Sequence, residues 1–127
     1  MKLTKNFDSE EFASRDGAET PCEVMVNLKV LAMNLQHLRD LIGKPIHINS
    51  GYRSPEHNRE VGGVSNSQHL YGKAADITVK GMDPKTVREN ILELIRRGEM
   101  KNGGIGIYDS FVHYDIRDGA ARWDERN

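Results

Sequence analysis

Three residues of this chain could bind a divalent metal, His69, Asp76 and His113, and strand alternation places the last two on one exposed face. His69 closes a turn-rich stretch. Asp76 interrupts the apolar run Ala74-Ala75-Asp76-Ile77-Thr78-Val79, and His113 interrupts Phe111-Val112-His113-Tyr114-Asp115-Ile116-Arg117. Strand alternation puts Ala75, Ile77 and Val79 on one side and Asp76 and Thr78 on the other. In the second run Val112, Tyr114 and Ile116 oppose Phe111, His113, Asp115 and Arg117. Two neutral imidazoles and one carboxylate leave a position open for water, the ligand set of a catalytic rather than a closed structural zinc site. A carboxylate in an apolar strand is costly unless it is compensated. A cation would compensate it, and so would an ion pair of Asp76 with Arg53 or Arg117, so the residues alone leave both open.

The elements that must position these residues follow from pattern. Residues 1–20 read as a polar arm with two aromatic anchors, Phe7 and Phe12, around Asp8-Ser9-Glu10-Glu11, which caps one short helical turn. From Pro21 to Ile42 the residues Val24, Leu28, Leu31, Leu35, Leu38 and Ile42 recur at helical spacing, and Gly43 with Pro45 marks the stop. Ile46-His47-Ile48-Asn49 alternates as a short strand. Ser50 to Ser67 is rich in turn residues and long for a loop in a compact domain, which points to function. After the strand at 74–79, Asp83 and Pro84 start a second helix with Val87, Ile91, Leu94 and Ile95 as its buried stripe, closed by Gly98. Gly103 to Tyr108 and Phe111 to Arg117 read as two further strands. The expected architecture is α+β: two helices on one face of a small, mostly antiparallel sheet, with Asp76, His113 and Asp115 on the open face.

Length and charge bound the function. The 127 residues suit one domain, 1–127, with a core large enough to fold without disulfides. The single cysteine, Cys22, lies in a polar stretch with no histidine near it and reads as a bland thiol. Eighteen basic residues balance nineteen acidic ones with no basic stripe, which argues against nucleic acid as a partner. A mean hydropathy of -0.64 and the lack of any apolar run near twenty residues argue against a membrane span. The amino terminus turns acidic before an apolar stretch forms, so no secretory signal is read and the chain is expected to be cytoplasmic at synthesis. A monomer is expected. Twelve glycines, several of them clustered, stand out.

The run Ser50-Gly51-Tyr52-Arg53-Ser54-Pro55-Glu56-His57-Asn58, then Val61-Gly62-Gly63, then Ser65 to Ile77, and finally Gly104-Ile105-Gly106 with Tyr108 and Phe111 to Arg117 closely resembles the M15 peptidases. These are zinc D-alanyl-D-alanine carboxypeptidases and peptidoglycan endopeptidases that share a fold with the hedgehog signalling domain. The likeness covers essentially the whole chain, because Phe7 to Gly17 is similar to the opening of the short branch found in phage lysis proteins. It implies one Zn2+ per chain, held by His69, Asp76 and His113. It further implies that Arg53 holds a substrate carboxylate or stabilises the oxyanion. Ser67 is implied to hydrogen-bond substrate or orient the site, beside the plainer reading of a loop-capping hydroxyl.

One position departs from the family pattern. Many members carry Glu or Asp three residues before the last histidine ligand, and here Ser110 stands there. The nearest carboxylates are Asp109 and Asp115. Residues two apart on a strand share a face, so Asp115 is the expected general base, with orientation of a ligand histidine as its other possible role. Tyr52, Tyr71 and Tyr108 are candidate cleft residues. His57 is a candidate for substrate or a loop hydrogen bond, and His37 and His47 are surface residues. The expected function is hydrolysis of peptidoglycan stem peptides, after release through a lysis lesion if the origin is a phage. The main alternative is a hedgehog-like, zinc-stabilised binding module without hydrolytic activity, and a third is a metal-free interaction domain held by ion pairs.

Overall fold

The computed structural model describes Met1–Asn127. The arm begins with β1 (Lys2–Thr4) and β2 (Phe7–Asp8), an antiparallel pair, and passes into a 3-10 turn at Ser9–Phe12. Asp8 caps that turn as expected: its carboxylate accepts from Glu10 N–H, while Glu11 accepts from Asp8 N–H. Phe7 and Phe12 are buried with ring centroids 5.9 Å apart, so the arm is anchored on the core. It also crosses Gly51, where a Cβ would sit 2.7 Å from Phe12 Cα; only glycine lets the backbones meet.

Helix α1 (Cys22–Ile42) buries Val24, Leu28, Leu31, Ala32, Leu35 and Leu38 and ends at Gly43 in the left-handed region. β3 (Ile46–Ser50) follows. The stretch read as loop contains a short helix, α2 (Pro55–Glu60), started by the Ser54 hydroxyl, which accepts from His57 N–H, and by Pro55 at its first position. β4 (Ala74–Val79) leads to α3 (Pro84–Arg96), capped by Asp83. The two expected strands β5 (Gly104–Ile107) and β6 (Val112–Asp115) pair as an antiparallel hairpin. A last strand, β7 (Ala121–Asp124), has no counterpart in the sequence reading.

The main sheet runs β3-β4-β6-β5-β7, antiparallel throughout except for the parallel pair β5 and β7. One cluster of 23 buried residues joins α1, α3, the arm and the inward side chains of the sheet, among them Ala75, Ile77, Val112, Tyr114 and Ile116. Each fully buried large aliphatic side chain contributes about 1.5–3 kcal/mol. Asp76 and His113 fall on the opposite, open face, as strand alternation requires. No helix is long and apolar enough to cross a membrane.

Candidate active site

The sheet register lines up the centre of the open face. Asp76 on β4 pairs with His113 on β6, His113 with Gly106 on β5, and Gly106 with Trp123 on β7. Gly106 leaves room for the Trp123 indole, which a Cβ there would strike. The indole in turn rests 5.1 Å from the His113 ring. Trp123 was not among the residues singled out from sequence. Its one signal is that it is the only tryptophan, in a segment whose other strand positions are polar or small.

His69 arrives from a 3-10 turn, Gln68–Tyr71. Ser67 caps that turn, its hydroxyl accepting from His69 N–H at 3.2 Å, and Gly72 ends it at φ +71°. Ser67 also borders the cleft, so its capping role is observed and its hydroxyl remains beside the site.

The partners of the two imidazoles suit the tautomers that a metal ligand needs. His69 Nδ1 lies 2.7 Å from the Gly51 carbonyl, which can only accept, so Nδ1 carries a proton and Nε2 is the nitrogen that could bind a metal. His113 Nε2 lies 2.7 Å from Asp115 Oδ2 and Nδ1 lies 3.0 Å from Asp76 Oδ1; a metal bound at Nδ1 would leave the proton on Nε2, where Asp115 accepts it. Both presented nitrogens converge on one oxygen: Asp76 Oδ1 is 3.3 Å from His69 Nε2 and 3.0 Å from His113 Nδ1. The three ligand atoms lie within 4.8 Å of one another. Burial alone would raise the Asp76 pKa, but hydrogen bonds from His113 and His69 outweigh it and hold the carboxyl well below its usual range. Burial likewise depresses His113, and its hydrogen bonds to Asp115 and Asp76 overcome that and raise it. Those bonds require protons on the nitrogens that face Asp76, protons that a bound divalent metal would displace, and the donor set of two imidazole nitrogens and one carboxylate fits such a metal.

The ion pair that competed with a metal in the sequence reading is also present in part. Arg53 Nη2 lies 3.6 Å from Asp76 Oδ2, and Nη1 donates to Asn58 Oδ1 at 3.2 Å. Arg117 pairs instead with Asp115, through Nε at 2.8 Å and Nη2 at 2.7 Å.

Asp115 shares the face of His113 but not the cleft. Its carboxylate is fully buried and accepts from His113 Nε2, Gly104 N–H, Arg117 N–H and the Arg117 guanidinium. It occupies the space that a side chain at Gly104 would take. Burial would raise its pKa, and the bonds from His113 and Arg117 bring it far below the carboxylate norm. The other nearby carboxylate, Asp109, is exposed and accepts from Asn127 N–H and Nδ2. Asp76 is therefore the one acidic residue bordering the cleft.

The cleft has a volume of about 640 Å³. Arg53, the loop at Gly62, Gly63 and Val64, and Ser67 form one side; Tyr108, Phe111, Arg117 and Trp123 form the other. Tyr108 stacks on Phe111 with centroids 4.4 Å apart, and its hydroxyl accepts from Trp123 Nε1 at 3.0 Å. Of the three candidate tyrosines only Tyr108 belongs here. Tyr52 and Tyr71 border a separate groove with Val24 and Leu70, because the turn that delivers His69 sends its other side against α1. His57 does not border the cleft, and its Nδ1 is buried without a partner, so neither role expected of that ring is seen. His37 and His47 are exposed, as expected, and so is Cys22.

Comparison with known proteins gives a consistent picture. The model of the family described as Peptidase M15 matches residues 5–115. The zinc D-Ala-D-Ala carboxypeptidase of Streptomyces albus G is 44% identical over 62 residues, which cover 48% of this chain and 24% of that protein. The peptidoglycan L,D-endopeptidase MepK of Escherichia coli strain K12 is 34% identical over 90 residues, covering 64% of this chain and 46% of that protein. The chain thus spans less than half the length of the curated relatives it matches.

Proposed function

The chain belongs to the M15 peptidase family, and from that premise we propose that it hydrolyses peptide bonds in bacterial peptidoglycan stem peptides with one zinc ion per chain, held by His69 Nε2, Asp76 and His113 Nδ1. The observation that carries the reading is the convergence of two imidazoles, each held from behind by an acceptor, on one buried carboxylate oxygen at the floor of an open cleft. Zinc in such a site lowers the pKa of water toward neutrality and polarises a carbonyl.

The chain's own groups supply the rest. Gly51 and Asp115 hold the two imidazoles in the ligand tautomers. Arg53, fixed by Asn58 and the edge of Asp76, offers its remaining N–H groups to a terminal carboxylate or to charge developing on the scissile carbonyl. Ser67 borders the same side and is available to a substrate amide. In this proposal Asp115 acts through His113 rather than as the general base: it is buried, saturated with donors, and separated from the cleft by the ring it orients.

A second reading, a zinc-stabilised binding module, is favoured by Ser110 and by the lack of a second carboxylate bordering the cleft. The experiment is metal analysis followed by digestion of purified peptidoglycan, with release of D-alanine and of new amino groups measured before and after chelation. One zinc per chain and chelator-sensitive release are expected, with His113→Ala inactive. Release of D-alanine identifies carboxypeptidase action, and new amino groups without D-alanine identify an endopeptidase. Zinc-loaded protein that releases nothing would favour the binding module, and a folded, metal-free sample would overturn both.

A further inference from the structure

The sheet order sets the two cleft guanidinia on opposite sides of the ligand cluster. Arg53 follows β3 at one edge, β4 and β6 carry Asp76 and His113 in the middle, and Arg117 lies over Trp123 of β7 at the far side, its Cζ 5.3 Å from the indole centroid. Arg117 and Trp123 both lie beyond residue 115, where the family match ends.

Arg117 is built as a fixed, partly open donor. Nε and Nη2 are pinned on Asp115 and the plane rests on the indole, which sets the fork's orientation before any ligand arrives. Nη1 has no protein partner, the side chain is 33% exposed, and the residue borders the cleft. The charge around it points the same way. The two guanidinia balance Asp76 and Asp115, so a bound divalent cation leaves the site positive within a chain whose net charge is -1. Attraction of an anion is therefore local to this cleft.

We propose that, of the two roles open to Arg53, it takes a substrate carboxylate on the carboxy-terminal side of the scissile bond, and that Arg117, across the cluster, is a specificity-determining residue that receives a carboxylate on the amino-terminal side. The substrate class is then an acidic peptide carrying carboxylates on both sides of the bond that is cut. Trp123 is the platform that holds the guanidinium and lines the path between. This rests on the peptidase reading and narrows it.

The test is an amide scan on the zinc-loaded full chain. A stem peptide with every carboxylate free is compared with versions in which each carboxylate in turn is a primary carboxamide, and kcat/KM is measured from the release of amino groups. One amino-terminal-side carboxamide should lower kcat/KM about tenfold, the worth of one charge-assisted hydrogen bond. In Arg117→Gln that position should no longer discriminate, while the penalty at the carboxy-terminal carboxamide persists; Arg53→Gln should give the reverse. Arg117 also braces Asp115, so a purely structural role would lower kcat/KM for all peptides alike and leave the ratios untouched. Unchanged ratios in Arg117→Gln would overturn this proposal alone, as would a wild type indifferent to every amide. Failure to cleave any peptide would overturn it together with the peptidase reading.

Discussion

Asp115→Asn is the substitution that best separates the two roles of this carboxylate. The change keeps shape and removes charge. Asp115 accepts from His113 Nε2, Gly104 N–H, and Arg117 N–H, Nε and Nη2, while offering no atom to solvent. An asparagine has only one carbonyl oxygen, so its NH2 must be turned toward at least one of those donors. Removing one partner of a buried ion pair costs about 3–5 kcal/mol. Arg117 keeps a third of its side chain exposed and recovers part of that from water, so the lower end, about 3 kcal/mol, is expected. The larger consequence falls on the metal. Without an anionic acceptor, His113 loses the bond that keeps its proton on Nε2, and the proton can move to the nitrogen that would face the ion.

Loss of such a supporting bond costs about 10–100-fold in metal affinity. That is roughly 1.4–2.7 kcal/mol. Zinc affinity is measured by competition with a chromogenic chelator, stability by urea unfolding of the metal-free chain, and activity by kcat on peptidoglycan fragments at saturating zinc. The expected result is weaker zinc binding and lower stability, with kcat at saturating zinc largely retained. An Asp115→Asn protein with wild-type zinc affinity and stability but collapsed kcat would refute the reasoning and return Asp115 to the role of general base.

Two further predictions concern the elements that frame the cleft. Gly106→Ala places a methyl group where the Trp123 indole lies, and overpacking of this kind costs about 1–3 kcal/mol. Because Trp123 is the only tryptophan, its emission should shift to the red as β7 is pushed off the sheet edge, and an unchanged spectrum and melting temperature would count against the packing described. Asp16 ties the arm to α2 by accepting from the Ser54 hydroxyl at 2.6 Å, and the Ser54 and Ser14 hydroxyls with Ala18 N–H lower its pKa to about 2. An unfolded aspartate titrates near 3.9, about two units higher, so this stabilisation is complete above that value and is lost as pH falls toward about 2. Asp16→Asn should be less stable than wild type near neutrality, with the gap closing on acidification, whereas a gap constant with pH would show that the charge plays no part.

The legible parts of the molecule were those in which local pattern and burial agree. α1 and α3 carry clear helical stripes and end at Gly43 and Gly98; β4 and β6 alternate cleanly, so the face carrying Asp76 and His113 followed from parity. α2 was hidden because six residues give no periodicity, leaving only Ser54-Pro55 as a start signal. β7 was hidden for a different reason. Its positions alternate between half-buried and exposed, with arginine and aspartate pointing outward, and its parallel pairing with β5 is set by the tertiary fold rather than by any local turn. With β7 went Trp123, and with Trp123 the part of the far wall that backs His113, while Tyr108 on the same side was a candidate from sequence. Asp115 marks the limit of parity itself. Alternation correctly put it on the face of His113, but a face is a hemisphere of directions: the missing side chain at Gly104 and the guanidinium of Arg117 draw the carboxylate down behind the imidazole.

That placement bears on why a metal would be kept in this domain at all. A structural zinc site closes its coordination with four protein ligands and supplies folding energy to a chain too small to hold itself. Here the cluster offers three donors, and the 23-residue core lies on the other side of the sheet and does not include any of them. The capped helices, the anchored arm and the inward faces of β4 and β6 are complete without a cation. What the ion would relieve is local: two imidazoles pressed on one carboxylate oxygen at the base of a cleft, both held in orientation from outside by Gly51 and Asp115. An arrangement that spends second partners on aiming ligands, while leaving the cleft side of the cluster open, gains little as a staple. It is suited to presenting a cation to a molecule in the cleft, which is the distinction that the peptidoglycan digestion and the Asp115→Asn zinc titration draw from opposite ends.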